Sequence, residues 1–263
     1  RPASPPTSPP LLAAQAHASA SAAASSLGLP ARPSPLPARP RSASAPLVVP
    51  GQFKLPRATG PRPPLEIVAI GASTGGPNAL AVLLGQLPAD LPVPVVIVQH
   101  MLSTFTRHFA ERLGAQCALA IVEADAGEAL RPGVAYIARG DFHLTIERRA
   151  GKPFAQLNQD KLENFCRPAV DVLFRSVAQA YGAGALGVVL TGMGHDGLLG
   201  CGAIREAGGD VIVQDEATSV VWGMPGYVAR AGLASQVLPL DHLGPEVRRR
   251  IQLAGARLAG TAT

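Results

Sequence analysis

Three short stretches of this chain carry side chains suited to acyl transfer. They are Gly71-Ala72-Ser73-Thr74-Gly75-Gly76, Gln99-His100-Met101 and Thr191-Gly192-Met193-Gly194-His195-Asp196-Gly197. A serine hydroxyl is a weak nucleophile until a base takes its proton. An imidazole can do so near neutral pH, and a buried carboxylate then fixes its tautomer and stabilises the imidazolium. Ser73, His100 and Asp196 supply those three groups. His108 falls in a predicted helix and His143 in a predicted hairpin. His195 adjoins Asp196 in the chain and is poorly placed to pair with it.

Each stretch also has a plainer reading. A glycine turn can hold a phosphate or simply reverse the chain, a lone histidine is often structural, and Asp beside glycine is a common turn or N-cap. The elements that must position the three residues tilt the choice. Short apolar, β-branched runs at 65–70, 95–98, 118–122, 186–190 and 211–213 read as strands. Stretches at 77–87, 105–113, 169–181, 198–207 and 243–258 read as helices. Thr104 is a candidate N-cap of the second helix, and Pro77 suits the first turn of its helix. Strands that are apolar throughout and alternate with helices predict a doubly wound α/β domain with a mainly parallel sheet. The runs 134–138 and 142–147, separated by Arg139-Gly140-Asp141, predict an antiparallel β-hairpin insertion. In such a sheet ligands bind beyond the carboxyl ends of the strands, where Ser73, His100 and Asp196 all fall. Consecutive strands are usually neighbours, so Ser73 and His100 are expected side by side. Backbone N–H groups at the start of the helix after Ser73 would face a developing oxyanion.

Composition bounds the rest. Residues 1–64 hold 16 of the 26 prolines and seven Lys or Arg, with no Asp or Glu. So Pro-, Ala- and Ser-rich a segment lacks the apolar periodicity to offset its ordering entropy, and a disordered linker or tail is expected there. A single domain is expected over 65–260. The formal net charge of +5 belongs to the tail, because the remainder carries 16 Lys and Arg against 18 Asp and Glu. The folded part therefore gives no reason to expect a nucleic-acid partner. Cys117, Cys166 and Cys201 are widely spaced and odd in number, which suggests neither a zinc ribbon nor a disulfide framework and fits a reducing cytoplasm. No apolar run nears the length of about 18 residues needed for a membrane helix, so no membrane insertion is expected. The chain opens on Arg1 and reads as a piece of something longer.

The blocks above, taken in order, resemble the catalytic domain of the chemotaxis protein-glutamate methylesterases, the CheB family. The similarity runs from about residue 66 to 247. It takes in 70–76, 99–101, 105–113, Pro132-Gly133 with Tyr136-Ile137-Ala138, Arg167-Pro168 with 170–174, 190–197 and Val221-Trp222-Gly223-Met224-Pro225. The resemblance implies a Ser73, His100, Asp196 triad, with the Met193 backbone N–H as an oxyanion donor and Thr74 lining the cleft. It implies hydrolysis of glutamate methyl esters on the helical bundle of chemoreceptors, deamidation of certain glutamines, and no metal or organic cofactor. It also implies partnership with a receiver domain and a histidine kinase, although no acidic phosphoacceptor set precedes residue 65. Cys166 and Ala169 stand where the family often has His and Ser, and Cys166 is expected to be a small packed side chain. A same-fold hydrolase of another acyl substrate is the nearest rival. A nucleotide-binding protein using the 71–76 turn is a more distant one, since that turn lacks the P-loop lysine and the Rossmann glycine spacing.

Overall fold

A computed structural model describes residues 63–260, with side chains described as far as residue 253. The linker expected over 1–64 lies, save its last two residues, outside the described residues. Nine strands and six α-helices follow in the order β1(Ile67–Ala72), α1(Gly76–Gly85), β2(Val95–Gln99), α2(Ser103–Gly114), β3(Ala120–Glu123), β4(Val134–Ile137), β5(His143–Arg149), β6(Lys152–Asn158), α3(Val170–Tyr181), β7(Ala185–Val189), α4(Leu198–Glu206), β8(Asp210–Gln214), α5(Met224–Arg230), β9(Gln236–Leu238) and α6(Leu240–Gly260). Seven strands form one parallel sheet in the order β3-β4-β2-β1-β7-β8-β9.

The apolar runs become central strands because both faces of the sheet are covered. Successive residues of β1 alternate between two cores, as the two-residue period of a strand requires. Ile67 and Ala69 join Val170, Phe174, Ile204 and Val228 on one side, so α3, α4 and α5 cover that face. Val68 and Ile70 join Leu80, Leu83, Phe109, Leu113 and Val247 on the other, under α1, α2 and α6. Each fully buried leucine or isoleucine contributes about 1.5–3 kcal/mol of transfer free energy. The doubly wound fold expected from sequence is thus the fold observed.

The antiparallel hairpin is present, but of the two runs expected to form it only the second, 142–147, does so, as β5. The run at 134–137 is buried at every position and pairs in parallel with β2 and β3 inside the main sheet. The hairpin joins β5 to β6, with His143 opposite Asn158 and Arg149 opposite Lys152. Ala150 and Gly151, both at positive φ, make its turn. Thr104 is not the cap of α2; Leu102 holds that position and Thr104 lies inside the first turn. Among the described residues no helix is long and apolar enough to cross a membrane.

Candidate functional site

Ser73 leaves the carboxyl end of β1, between the two strands whose following loops carry the other groups. Its backbone is fixed from both sides. The Ser73 N–H donates to the Thr191 carbonyl (3.1 Å), beyond β7. The Ser73 carbonyl accepts from Gln99 Nε2 (3.0 Å), at the end of β2. The hydroxyl-bearing carbon sits against Gly192, where a Cβ would come within 2.9 Å of Ser73 Cβ and would also collide with the Met224 sulfur. Only a residue without a side chain fits there.

His100 follows β2, and its backbone N–H donates to the Ala72 carbonyl (3.0 Å), so it lies beside Ser73 as strand adjacency predicted. Asp196 reaches it from the loop after β7. That loop turns inward at Gly197, where φ is +94° and a Cβ would meet Val170 at 2.9 Å. Asp196 is 2% exposed. Its Oδ2 accepts from His100 Nε2 (2.8 Å) and from the Val170 backbone N–H (2.7 Å). Its Oδ1 accepts from the Asp171 N–H (3.0 Å) and from Asn164 Nδ2 (2.8 Å). The carboxylate therefore rests on the amino end of α3, where unpaired N–H groups and the helix dipole favour negative charge. Burial alone would raise the Asp196 pKa, but the bonds from His100, Val170 and Asp171 outweigh it and hold it below the usual carboxylate range.

An ionised Asp196 is an acceptor only, so His100 Nε2 carries a hydrogen, and in the neutral ring Nδ1 keeps the lone pair. Burial pushes the imidazole pKa down, but the bonds and charges of Asp196 and Cys166 prevail and raise it to about 9. Among the described residues no hydrogen bond joins the Ser73 hydroxyl to His100. Nδ1 instead faces Cys166 Sγ at 3.6 Å. Cys166 is thus not the packed side chain expected; it is partly exposed and shares a cleft of about 430 Å³ with His100, Met193, His195 and Asp196. Thr74 and Met193 are both exposed, and among the described residues neither backbone N–H makes an intramolecular hydrogen bond. The Met193 side chain stands 74% exposed at the cleft, with Leu162 and Phe165 beside it at 58% and 97%.

Asn164 and Asp171 were not singled out from sequence for any role in the site. Asn164, held at φ +52°, donates through Nδ2 to both Asp171 Oδ2 and Asp196 Oδ1, each at 2.8 Å. Asp171 also accepts from the Gly200 N–H (2.7 Å) at the start of α4. Burial, with the neighbouring Asp196 charge, raises the Asp171 pKa to about 6. No local pattern marks Asn164, since its partners lie 7 and 32 residues further along the chain. Replacing it with alanine leaves two buried carboxylates without their shared donor. A hydrogen bond to a charged group is worth about 1.5–3 kcal/mol, and Asn164→Ala is expected to lose that much in a denaturant melt. A loss below about 0.5 kcal/mol would contradict the bridge.

A hydroxyl, an imidazole and a carboxylate gathered beyond the central strands of a doubly wound parallel sheet define an α/β domain of the hydrolase class. The comparisons narrow that class. A sequence model described as CheB methylesterase matches residues 68–247, and the chain belongs to that family. It is 57% identical over 187 residues to a protein-glutamate methylesterase/protein-glutamine glutaminase of Trichodesmium erythraeum, covering 71% of this chain and 53% of that protein. A Maricaulis maris protein of the same name is 52% identical over 211 residues, covering 80% of this chain and 52% of its own length. The chain thus spans about half the length of these curated relatives. The crystal structure of the Thermotoga maritima CheB methylesterase catalytic domain superposes with a TM-score of 0.69 at 42% identity, covering 72% of this chain and 98% of that one.

Proposed function

We propose that residues 65–260 form a catalytic domain that hydrolyses glutamate methyl esters on chemoreceptors, releasing methanol, and deamidates certain receptor glutamines. The observation that carries this reading is the bond from His100 Nε2 to the buried, four-fold hydrogen-bonded Asp196, beside the turn that bears Ser73. Ser73 Oγ attacks the ester carbonyl carbon while His100 Nδ1 takes the hydroxyl proton. The Thr74 and Met193 N–H groups receive the oxyanion. Collapse expels methanol, protonated by His100; from a glutamine amide the leaving group is ammonia. Water, deprotonated by His100, then cleaves the acyl-enzyme to the glutamate carboxylate. None of these steps calls for a metal or organic cofactor.

The substrate is a side chain on a long helical bundle, so its reacting group must enter an open cleft while the helix rests on the rim. The exposed apolar side chains of Leu162, Phe165 and Met193 suit a helix face. The receiver domain and histidine kinase of the same pathway are the further partners of this reading, in the cytoplasm. Incubation with a methylated chemoreceptor fragment tests it: methanol release is expected. Cleavage of a generic aryl ester without methanol release would retain the hydrolase and assign it another acyl substrate.

The pH dependence follows from His100. Only the neutral imidazole is a base, so kcat/KM is expected to rise about tenfold per pH unit at neutral pH and to level off above about 9. Cys166 contributes to the raised value, so Cys166→Ser is expected to move the midpoint down. A parent profile already flat at pH 7 would contradict this account of the base.

A further inference from the structure

Cys166 lines the cleft but takes or gives no proton and forms no bond in the acyl-transfer scheme. Cys166 Sγ stands 3.6 Å from His100 Nδ1, the ring nitrogen left open because Nε2 is bonded to Asp196. His100, Cys166 and Asp196 each offer a ligand atom, and these atoms all lie within 4.8 Å of one another. Among the described residues no other group of three or more His, Cys, Asp or Glu is so arranged. We propose that Cys166 and His100, backed by Asp196, form an inhibitory binding site for a thiophilic divalent cation such as zinc.

The spacing is that of a metal site. Zinc binds thiolate sulfur at about 2.3 Å and imidazole nitrogen at about 2.0–2.1 Å, which at a tetrahedral angle separates the two donors by about 3.6 Å. The observed separation is 3.6 Å, the same as that spacing. Asp196 adds the outer support common to zinc-bound histidines: it takes the hydrogen on Nε2, fixes the ring and aims the Nδ1 lone pair at the cation. The cleft of about 430 Å³ leaves room for water to complete the coordination. On binding, the Cys166 thiol proton leaves to solvent, as does the Nδ1 proton wherever the ring is imidazolium, and two bonds form, Sγ to metal and Nδ1 to metal. Cys117 and Cys201 belong to no such group, and Cys201 is fully buried.

Binding at Nδ1 removes the lone pair that must accept the Ser73 proton, so the occupied site is inactive. This inhibitory consequence rests on the acyl-transfer reading, whereas cation binding itself does not. Titration with Co²⁺, whose thiolate bond gives a near-ultraviolet charge-transfer band, tests binding apart from activity. The band is expected in the parent, to be displaced by zinc, and to weaken at least about 100-fold in apparent affinity in Cys166→Ser and in His100→Ala. Its absence in the parent, or its persistence in Cys166→Ser, overturns the site even if no esterase activity is ever found. In an active parent, zinc is expected to stop ester cleavage reversibly to chelator. Cys166→Ser is expected to need at least about 100-fold more zinc for the same fractional loss of its own metal-free rate. Equal zinc sensitivity in the two proteins overturns the inhibitory role.

Discussion

Ser73→Ala is expected to lower kcat by about 10⁶-fold while leaving the fold intact. The two halves of that result have separate causes. What holds residue 73 in place is backbone: its N–H on Thr191, and its carbonyl on Gln99 and Gly76. Alanine keeps all three bonds. It also keeps the Cβ that packs against Gly192 and removes only the oxygen. The melting temperature should therefore change by no more than a degree or two. The chemical loss is large because water must then replace the serine in a site that no longer offers a covalent route. Roughly 10³–10⁴-fold acceleration over the uncatalysed reaction should persist, supplied by the oxyanion donors and by binding. Single-turnover methanol release with equal amounts of parent and variant measures this. Variant activity within about 100-fold of the parent would take Ser73 out of the mechanism.

The second large effect is expected for Asp196→Asn, about 10⁴-fold in kcat. Both oxygens of Asp196 accept two hydrogen bonds. An asparagine amide placed at Oδ2 opposes the Val170 N–H and forces His100 Nε2 to act as acceptor, which puts the hydrogen on Nδ1 and removes the base. Placed at Oδ1, it opposes Asn164 and the Asp171 N–H. Either orientation leaves donors facing donors, so a loss of stability of about 1–3 kcal/mol is also expected. The pH profile separates this from simple misfolding. Asp196 is among the groups that raise the His100 pKa, so the midpoint of the remaining activity should move down. A variant equally unstable but with an unchanged midpoint would make Asp196 structural only.

The strand ends were legible because apolar runs buried on both faces have few alternatives to a parallel sheet. Ile67–Ala72, Val95–Gln99 and Ala185–Val189 are wholly buried; Ser73 and His100 come immediately after the first two runs, and Asp196 lies in the loop that follows the third. The first strand of the hairpin was misplaced for a related reason. Val134-Ala135-Tyr136-Ile137 is apolar at each position, the mark of a central strand, yet a short turn after it suggested antiparallel pairing. Lys152–Asn158 was hidden by Pro153, which is tolerated because its two-stranded sheet consists of edges alone. The helix Met224–Arg230 opens on Met-Pro-Gly and is too short for periodicity to register. Asn164 and Cys166 were out of reach altogether. What they touch, Asp196 and His100, lies 32 and 66 residues away in the chain, and no local spacing encodes that contact.

The central claim is that an acyl group passes through Ser73 under the control of His100. Labelling with a fluorophosphonate, followed by mass spectrometry of the digested protein, tests it most directly. A single adduct on the peptide carrying Ser73, lost in His100→Ala, is the result this account predicts. An adduct on Cys166, or labelling of Ser73 undiminished in His100→Ala, would contradict it.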